Sequence, residues 1–199
     1  YAGNSYGAVV DITTRLPEKF EANANVSGSL QRFQLYGTDG NYGAGEVTLG
    51  IGDRLGKFHW RLDLEHLDSS SQPITYETIA QSTTAASSSQ PVITGAYADR
   101  GRTGNTIQVL GAGTFTHTVQ DSATVKLAYD FTGTLRGVYT LGFWHNNAQT
   151  KPSTFLQDAT GAGYYGSATT GSMVNIGGYA YSATTIGGLY SDSLVTQSH

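Results

Sequence analysis

The chain has 199 residues, 38% of them hydrophobic and 13% charged, with a formal net charge of −4; charge is sparse beside the roughly 25% of a typical soluble protein. No cysteine is present, which argues against a disulfide-stapled scaffold, a structural zinc module and cysteine catalysis, and no basic cluster is available for nucleic acid. The longest apolar run falls far short of the ~20 residues of a membrane-spanning helix, whereas a β-barrel carries its membrane signal only at every second place of ~10-residue segments.

Residues 1–17, YAGNSYGAVVDITTRLP, pass from a Gly-rich turn into a β-branched run, Val9, Val10, Ile12, Thr13 and Thr14, that stops at Pro17. It has no helical period and predicts a covered strand. From about Glu21 the apolar residues stand two apart, so each strand has one apolar and one polar face. The first strand is expected over 21–35, a loop of moderate length over 36–42, and the second strand over 43–53. Arg54, Leu55, Gly56 and Lys57 form a tight turn into a third strand over 58–68. There Phe58, Trp60, Leu62 and Leu64 alternate with His59, Arg61, Asp63 and Glu65. After a Ser/Thr-rich span, Val125, Leu127, Tyr129 and Phe131 alternate with Thr124, Lys126, Ala128 and Asp130 in a fourth strand ending at Phe131. A turn at 132–134 leads to a fifth strand over 135–147. A second long span, 148–187, precedes a sixth strand from near Gly188 to His199. No segment reads as a helix.

The opening segment resembles the place where the plug domain of a TonB-dependent outer-membrane receptor hands over to its β-barrel. Members of that family end the plug with a Y-G-x-x-S-x-G-G turn and a V-[VI]-N-I-x-[TS]-[KR]-x-P strand. Tyr1, Ser5, Gly7, Val9, Val10, Ile12, Thr14, Arg15 and Pro17 match, and Ala2, Ala8 and Asp11 depart from the pattern. The phrase KLAYDFTGTLRGVYTLGFW is similar to a barrel hairpin of the same family. The resemblance implies an all-β fold: a partial transmembrane antiparallel β-barrel of about six strands in 18–199, an open sheet, preceded by the last strand of a plug in 1–17. Against about 22 strands in such plugged barrels, this is roughly a quarter of a wall. An abrupt start at Tyr1 and alternation up to His199 fit an internal piece of a longer chain.

The same resemblance implies a receptor and transporter in the outer membrane of a Gram-negative bacterium. It would take up a scarce nutrient, with a ferric siderophore as the first guess, and draw energy from TonB through an upstream segment. Outer-membrane lipid and the small-molecule ligand are the other partners; no cofactor and no enzyme activity are expected. Short and long connections alternate in such barrels. By that rule residues 106–118, which also alternate, extend the fourth strand above the membrane or form a hairpin in the outer loop, and do not cross separately. Tyr36, Tyr42, Phe143 and Trp144 are expected near upper strand ends, and Phe58, Trp60, Tyr129 and Phe131 near lower ones, as aromatic girdles.

Candidate site residues follow from the faces. His59, Arg61, Asp63 and Glu65, with Lys126, Asp130 and Arg136, form a charge-alternating row that would line the lumen and hold the plug; the plain alternative is a solvated face. Tyr76, Tyr97, Tyr164 and Tyr165 in the outer spans are candidates for ligand contact, because aromatic rings give contact area at low entropic cost, although packing within a loop would serve as well. Gly3 to Gly7 match G-x-S-x-G, but the element after Ser5 favours strand where a nucleophile elbow needs a helix, so the motif reads as a turn. The five histidines are scattered and do not form a ligand set. The other function class left open is a secreted or surface β-rich adhesin, which the Ser/Thr/Gly bias would suit and the absence of a fixed repeat period weakens.

Overall fold

A computed structural model describes residues 16–199; the turn at 1–7 and the strand expected over 6–14 lie outside the described residues. Eleven strands and one helix are present among them: β1 (Glu21–Leu35), β2 (Thr38–Leu55), β3 (Phe58–Ser70), β4 (Tyr76–Ala80), β5 (Val92–Ile93), β6 (Tyr97–Arg100), β7 (Thr106–Asp130), β8 (Arg136–Thr154), β9 (Met173–Ile176), β10 (Tyr179–Ser182), α1 (Ala183–Asp192) and β11 (Val195–Ser198). The chain is all-β, and its main antiparallel sheet is open, running β1-β2-β3-β7-β8-β11 with β4 and β6 also on β7. A smaller sheet has the order β10-β9-β5.

Two sequence expectations change. The loop expected over 36–42 shrinks to Tyr36 and Gly37, because Thr38 already belongs to β2. TDGNYG has turn-like composition, yet pairing along β1 overrides it, and Arg32 bonds Asp39 at 3.0 Å across the hairpin. Tyr36 holds a positive φ of 51° there, a conformation uncommon outside glycine, while the matching turn at 56–57 uses Gly56 at φ 64°. The strand expected from Gly188 to His199 is instead α1 followed by the short β11. Ser182 caps the helix by accepting from Thr185 N, and Ala183, Ile186 and Tyr190 are its buried positions, one apolar stripe at helical spacing. Residues 106–118 belong to the single 25-residue β7, the long-strand arrangement that connection parity favours.

The described chain divides into two units. The first comprises 16–24, 48–64 and 123–143. Its burial lies on the polar side of the sheet, at Pro17, Gly52, His59 and Ala128. The second comprises 25–47, 65–122 and 144–199. It holds the hydrophobic core, built from Ile93, Leu110, Leu156, Val174, Ile176, Tyr181, Ala183, Ile186 and Tyr190. The long spans that composition reads as loops thus supply a small sheet and a helix packed around shared apolar side chains. Two cross-strand pairs tie β3 to β7 in this unit: His66 to Asp121 at 2.7 Å and His117 to Asp68 at 2.8 Å.

Candidate functional site

In the first unit the alternation of β3 sends His59, Arg61 and Asp63 to one side of the sheet and Trp60, Leu62 and Leu64 to the other. On the polar side, Gly52 of β2 leaves a hollow. A Cβ there would stand 2.6 Å from Pro17 Cγ and 2.7 Å from Trp60 O, so only glycine admits the proline. Pro17 fills the hollow and is fully buried. Its carbonyl lies 2.8 Å from His59 Nδ1. A carbonyl can only accept, so Nδ1 carries the proton of this bond. His59 Nε2 lies 3.1 Å from Asp130 Oδ2, and Arg136 grips the same carboxylate with Nε on Oδ1 and Nη2 on Oδ2, the latter at 3.0 Å. Glu18 pairs with Arg54 beside them. Pro17 and Glu18, ahead of β1, are therefore fixed by a hollow, a buried imidazole and an ion pair.

Next along the same face lies a groove of about 750 Å³ lined by Glu21, Asn23, Arg61, Asp63, Thr124 and Lys126. Arg61 holds Asp63 with two bonds, at 2.8 and 2.6 Å, a bidentate pair that fixes the guanidinium plane. Six of the seven residues in the expected row, His59, Arg61, Asp63, Lys126, Asp130 and Arg136, thus occur in this unit. Glu65 belongs to the other unit, where Ser122 Oγ is 3.5 Å away. No sequence signal paired Pro17 with His59 or Glu18 with Arg54, since each pair is separated by more than thirty residues.

The opposite face of this unit is apolar and open. Ala22, Ala24, Leu49, Ile51, Leu62 and Leu64 line a shallow depression of about 550 Å³. Leu49 is 46% exposed, Leu141 55% and Phe143 63%. Tyr129 and Phe131, with ring centroids 5.0 Å apart, stand at the end of β7, and Phe58 and Trp60 at the start of β3. The upper aromatic set is placed differently from the expectation. Tyr42, Phe143 and Trp144 lie inside strands, because β2 begins four residues before Tyr42 and β8 runs on to Thr154.

In the second unit, Tyr76 and Tyr97 come together around Tyr36 and Phe155. The Tyr36 centroid is 5.1 Å from that of Tyr76 and 5.9 Å from that of Tyr97, and Phe155 is 5.7 Å from Tyr97. The Tyr36 hydroxyl donates to Asp99. That bond raises the phenol above its ordinary pKa and holds the Asp99 carboxyl below its own. Tyr164 and Tyr165 lie elsewhere. Tyr164 packs against the core and Tyr165 meets Tyr190 edge-on at 5.0 Å. Two of the four candidate tyrosines therefore serve packing. The cluster's other rings are Tyr36, which the sequence places in the upper aromatic set, and Phe155, which lies in the 148–187 span without a local signal of its own.

Burial pushes the Tyr190 phenol up to about 12; its hydroxyl donates to Leu110 O at 2.9 Å. Among the described residues no three His, Asp or Glu side chains converge as a metal set. Both ring nitrogens of His59 are engaged, by a carbonyl and a carboxylate, so no lone pair is presented to a substrate. The arrangement holds Pro17 and Glu18 against the sheet. No protein-family model matches the chain, and neither a curated protein nor a solved structure is significantly similar to it.

Proposed function

We propose that the chain is part of a TonB-dependent outer-membrane receptor, comprising the plug-to-barrel junction and the first wall strands, which takes up a scarce nutrient such as a ferric siderophore. The observation that carries the reading is the two-faced sheet of the first unit. Its apolar face is exposed at Leu49, Ile51, Leu55, Leu64, Tyr139, Leu141 and Phe143, on strands long enough to cross the ~25 Å apolar band of a barrel wall. Water penalises such a face at about 25 cal/mol per Å², and lipid does not. Strand length supports the same reading, since β1, β2, β7 and β8 have 15, 18, 25 and 19 residues where globular strands usually have about 3–10.

On this reading the polar face of the first unit is the lumen wall. Pro17 is the last residue of the plug segment, seated on Gly52 and tied to His59. The Arg61–Asp63 pair and Lys126 present alternating charge to the plug body, and the tyrosine cluster of the second unit faces the external ligand. TonB engages a part of the receptor outside this chain.

The membrane assignment is tested by two arginine substitutions at adjacent positions of β8. Leu141 lies on the apolar face and Thr140 lines the polar groove. Leu141→Arg is expected to lower folding into lipid vesicles by about 2–4 kcal/mol if it lies near the midplane, and Thr140→Arg by less than about 1 kcal/mol. Equal effects would remove the membrane assignment. The cargo is tested in the complete receptor, where growth on a ferric siderophore as sole iron source should require it; growth of a deletion strain at the parental rate would dismiss that cargo.

A further inference from the structure

His59 is wholly buried, and each of its ring nitrogens faces an acceptor. The Pro17 carbonyl lies 2.8 Å from Nδ1, and Asp130 Oδ2 lies 3.1 Å from Nε2. A carbonyl oxygen has no proton to give. Asp130 has none either, because Arg136 donates to both of its oxygens, and a carboxylate gripped in this bidentate way is ionised and only accepts. A neutral imidazole carries one N–H, so it can make one of the two bonds. Making both requires a proton on each nitrogen, which is the imidazolium. The other charged groups around this contact are turned to partners or lie further along the face. Arg54 of β2 bonds Glu18 through its side chain and Asp53 through its backbone N–H. In the turn between β2 and β3 the Lys57 ammonium bonds the Phe131 carbonyl at 3.3 Å. Arg61 of β3 bonds Asp63, and Lys126 of β7 lines the adjoining groove with Glu21. Asp130 is the anion that the ring meets.

We infer that the Pro17 carbonyl, His59 and Asp130 form a pH-dependent clasp on the segment ahead of β1, closed when both nitrogens of His59 are protonated and loosened when one proton leaves. Histidine is the side chain whose charge ordinarily changes between pH 5 and 8. Which bond is given up follows from charge. A hydrogen bond to an ionised acceptor is roughly twice as strong as one to a neutral acceptor. The neutral ring therefore keeps its remaining proton on Nε2 for Asp130 and turns a bare Nδ1 lone pair towards the Pro17 carbonyl. Two facing lone pairs then replace an attraction. The closed state binds one more proton than the loosened one, so the clasp is strongest at low pH and weakens as pH rises. Pro17 keeps its seat against Gly52, so the segment is loosened rather than expelled. The inference concerns the hold on this segment and does not depend on whether the sheet lies in a membrane.

The test uses the full chain folded in micelles of an uncharged detergent. Tryptic cleavage at Lys19 is normalised at each pH to cleavage of a free peptide of residues 16–24, which removes the protease's own pH dependence. Between pH 6 and 9, below the window in which Tyr190 titrates, normalised cleavage should rise about tenfold, as expected for one lost hydrogen bond to a charged group. Asp130→Asn should abolish that rise and keep cleavage slow. Its amide can donate to Nε2 while its oxygen still accepts from Arg136, so a neutral ring retains Nδ1–H on the Pro17 carbonyl. His59→Gln, which has no titrating ring, should be cleaved at one rate throughout. In the parent chain, nitrogen-15 NMR of the His59 ring, identified by slow exchange of its buried N–H with water, should show both nitrogens protonated at pH 6 and Nδ1 bare at pH 9. A flat cleavage profile in the parent chain overturns the clasp, as does an undiminished rise in Asp130→Asn or a bare ring nitrogen at pH 6. If a variant does not fold, the cleavage profile and ring spectrum of the parent chain decide. Any of these failures leaves the receptor reading standing, since that is judged by the Leu141 and Thr140 variants.

Discussion

Gly52 and Pro17 act as a matched pair, and the consequence of separating them can be calculated from the hollow itself. A valine at position 52 would drive its Cβ into Pro17 and the Trp60 carbonyl, and overpacking of this kind costs about 1–3 kcal/mol. Gly52→Val should therefore accelerate tryptic cleavage at Lys19 about tenfold in the detergent-folded chain, the equivalent of about 1.4 kcal/mol. An unchanged cleavage rate would remove Pro17 from the seat. The polar row was legible in sequence because period-two alternation assigns faces without knowing partners. Its anchor was not legible, because the bond from His59 to the Pro17 carbonyl spans 42 residues and involves a backbone atom that every residue has.

Tyr190 supplies a second prediction at this scale. In the unfolded chain its phenol ionises near the ordinary value of about 10, whereas burial holds it protonated in the folded state up to about 12. A raised folded value favours the folded state fully below pH 10 and progressively less as pH rises towards 12. The melting temperature of the second unit should fall across that window, and Tyr190→Phe should flatten the fall. An identical alkaline profile for the variant would show that some other group governs it.

Among the elements, α1 is the one that sequence reasoning turned into a strand. Gly187 and Gly188 lie mid-helix, Thr184 is half-buried, and Thr185 and Ser191 are exposed, all poor helix formers. Propensity opposes the helix; what stabilises it is the burial of Ile186 and Tyr190 in the core and the Ser182 cap. Ile186→Ala should destabilise the second unit by about 3 kcal/mol and Ser182→Ala by about 1 kcal/mol, both measured as shifts in urea midpoint. A smaller loss at Ile186 than at Ser182 would mean that the helix is held by its end rather than by its face. The strands of the first unit were legible for the opposite reason, since local alternation and burial agree there. The 36–42 turn was over-read because Asp39, Gly40 and Asn41 favour turns by composition, and long-range pairing outweighs that preference.

At the scale of the whole molecule, the apolar face and the charged residues make opposite demands on solvent. Without detergent the chain should associate through the exposed face carrying Leu49, Leu141 and Phe143, as open sheets with unpaired edges do. Light scattering of the refolded chain should show aggregates that uncharged detergent disperses. A monomeric species with one cooperative melt in plain buffer would contradict the membrane assignment. Alternation indicated a β-rich chain; it gave no sign that the long polar spans fold around a core, because Ile93, Leu110 and Leu156 stand far apart in sequence and the apolar stripe of α1 is interrupted by Gly187 and Gly188.

The two His–Asp pairs between β3 and β7 bear on how a long sheet avoids mistakes in assembly. Alternation protects a strand against slipping by one residue, because every side chain would change faces. It offers no protection against slipping by two, which returns apolar residues to the apolar side and leaves the hydrophobic energy almost unchanged. His66 with Asp121 and Asp68 with His117 meet at 2.7 and 2.8 Å only near the native alignment. A two-residue error would change the geometry of both pairs, so the His–Asp rungs report on the register that the apolar face cannot read.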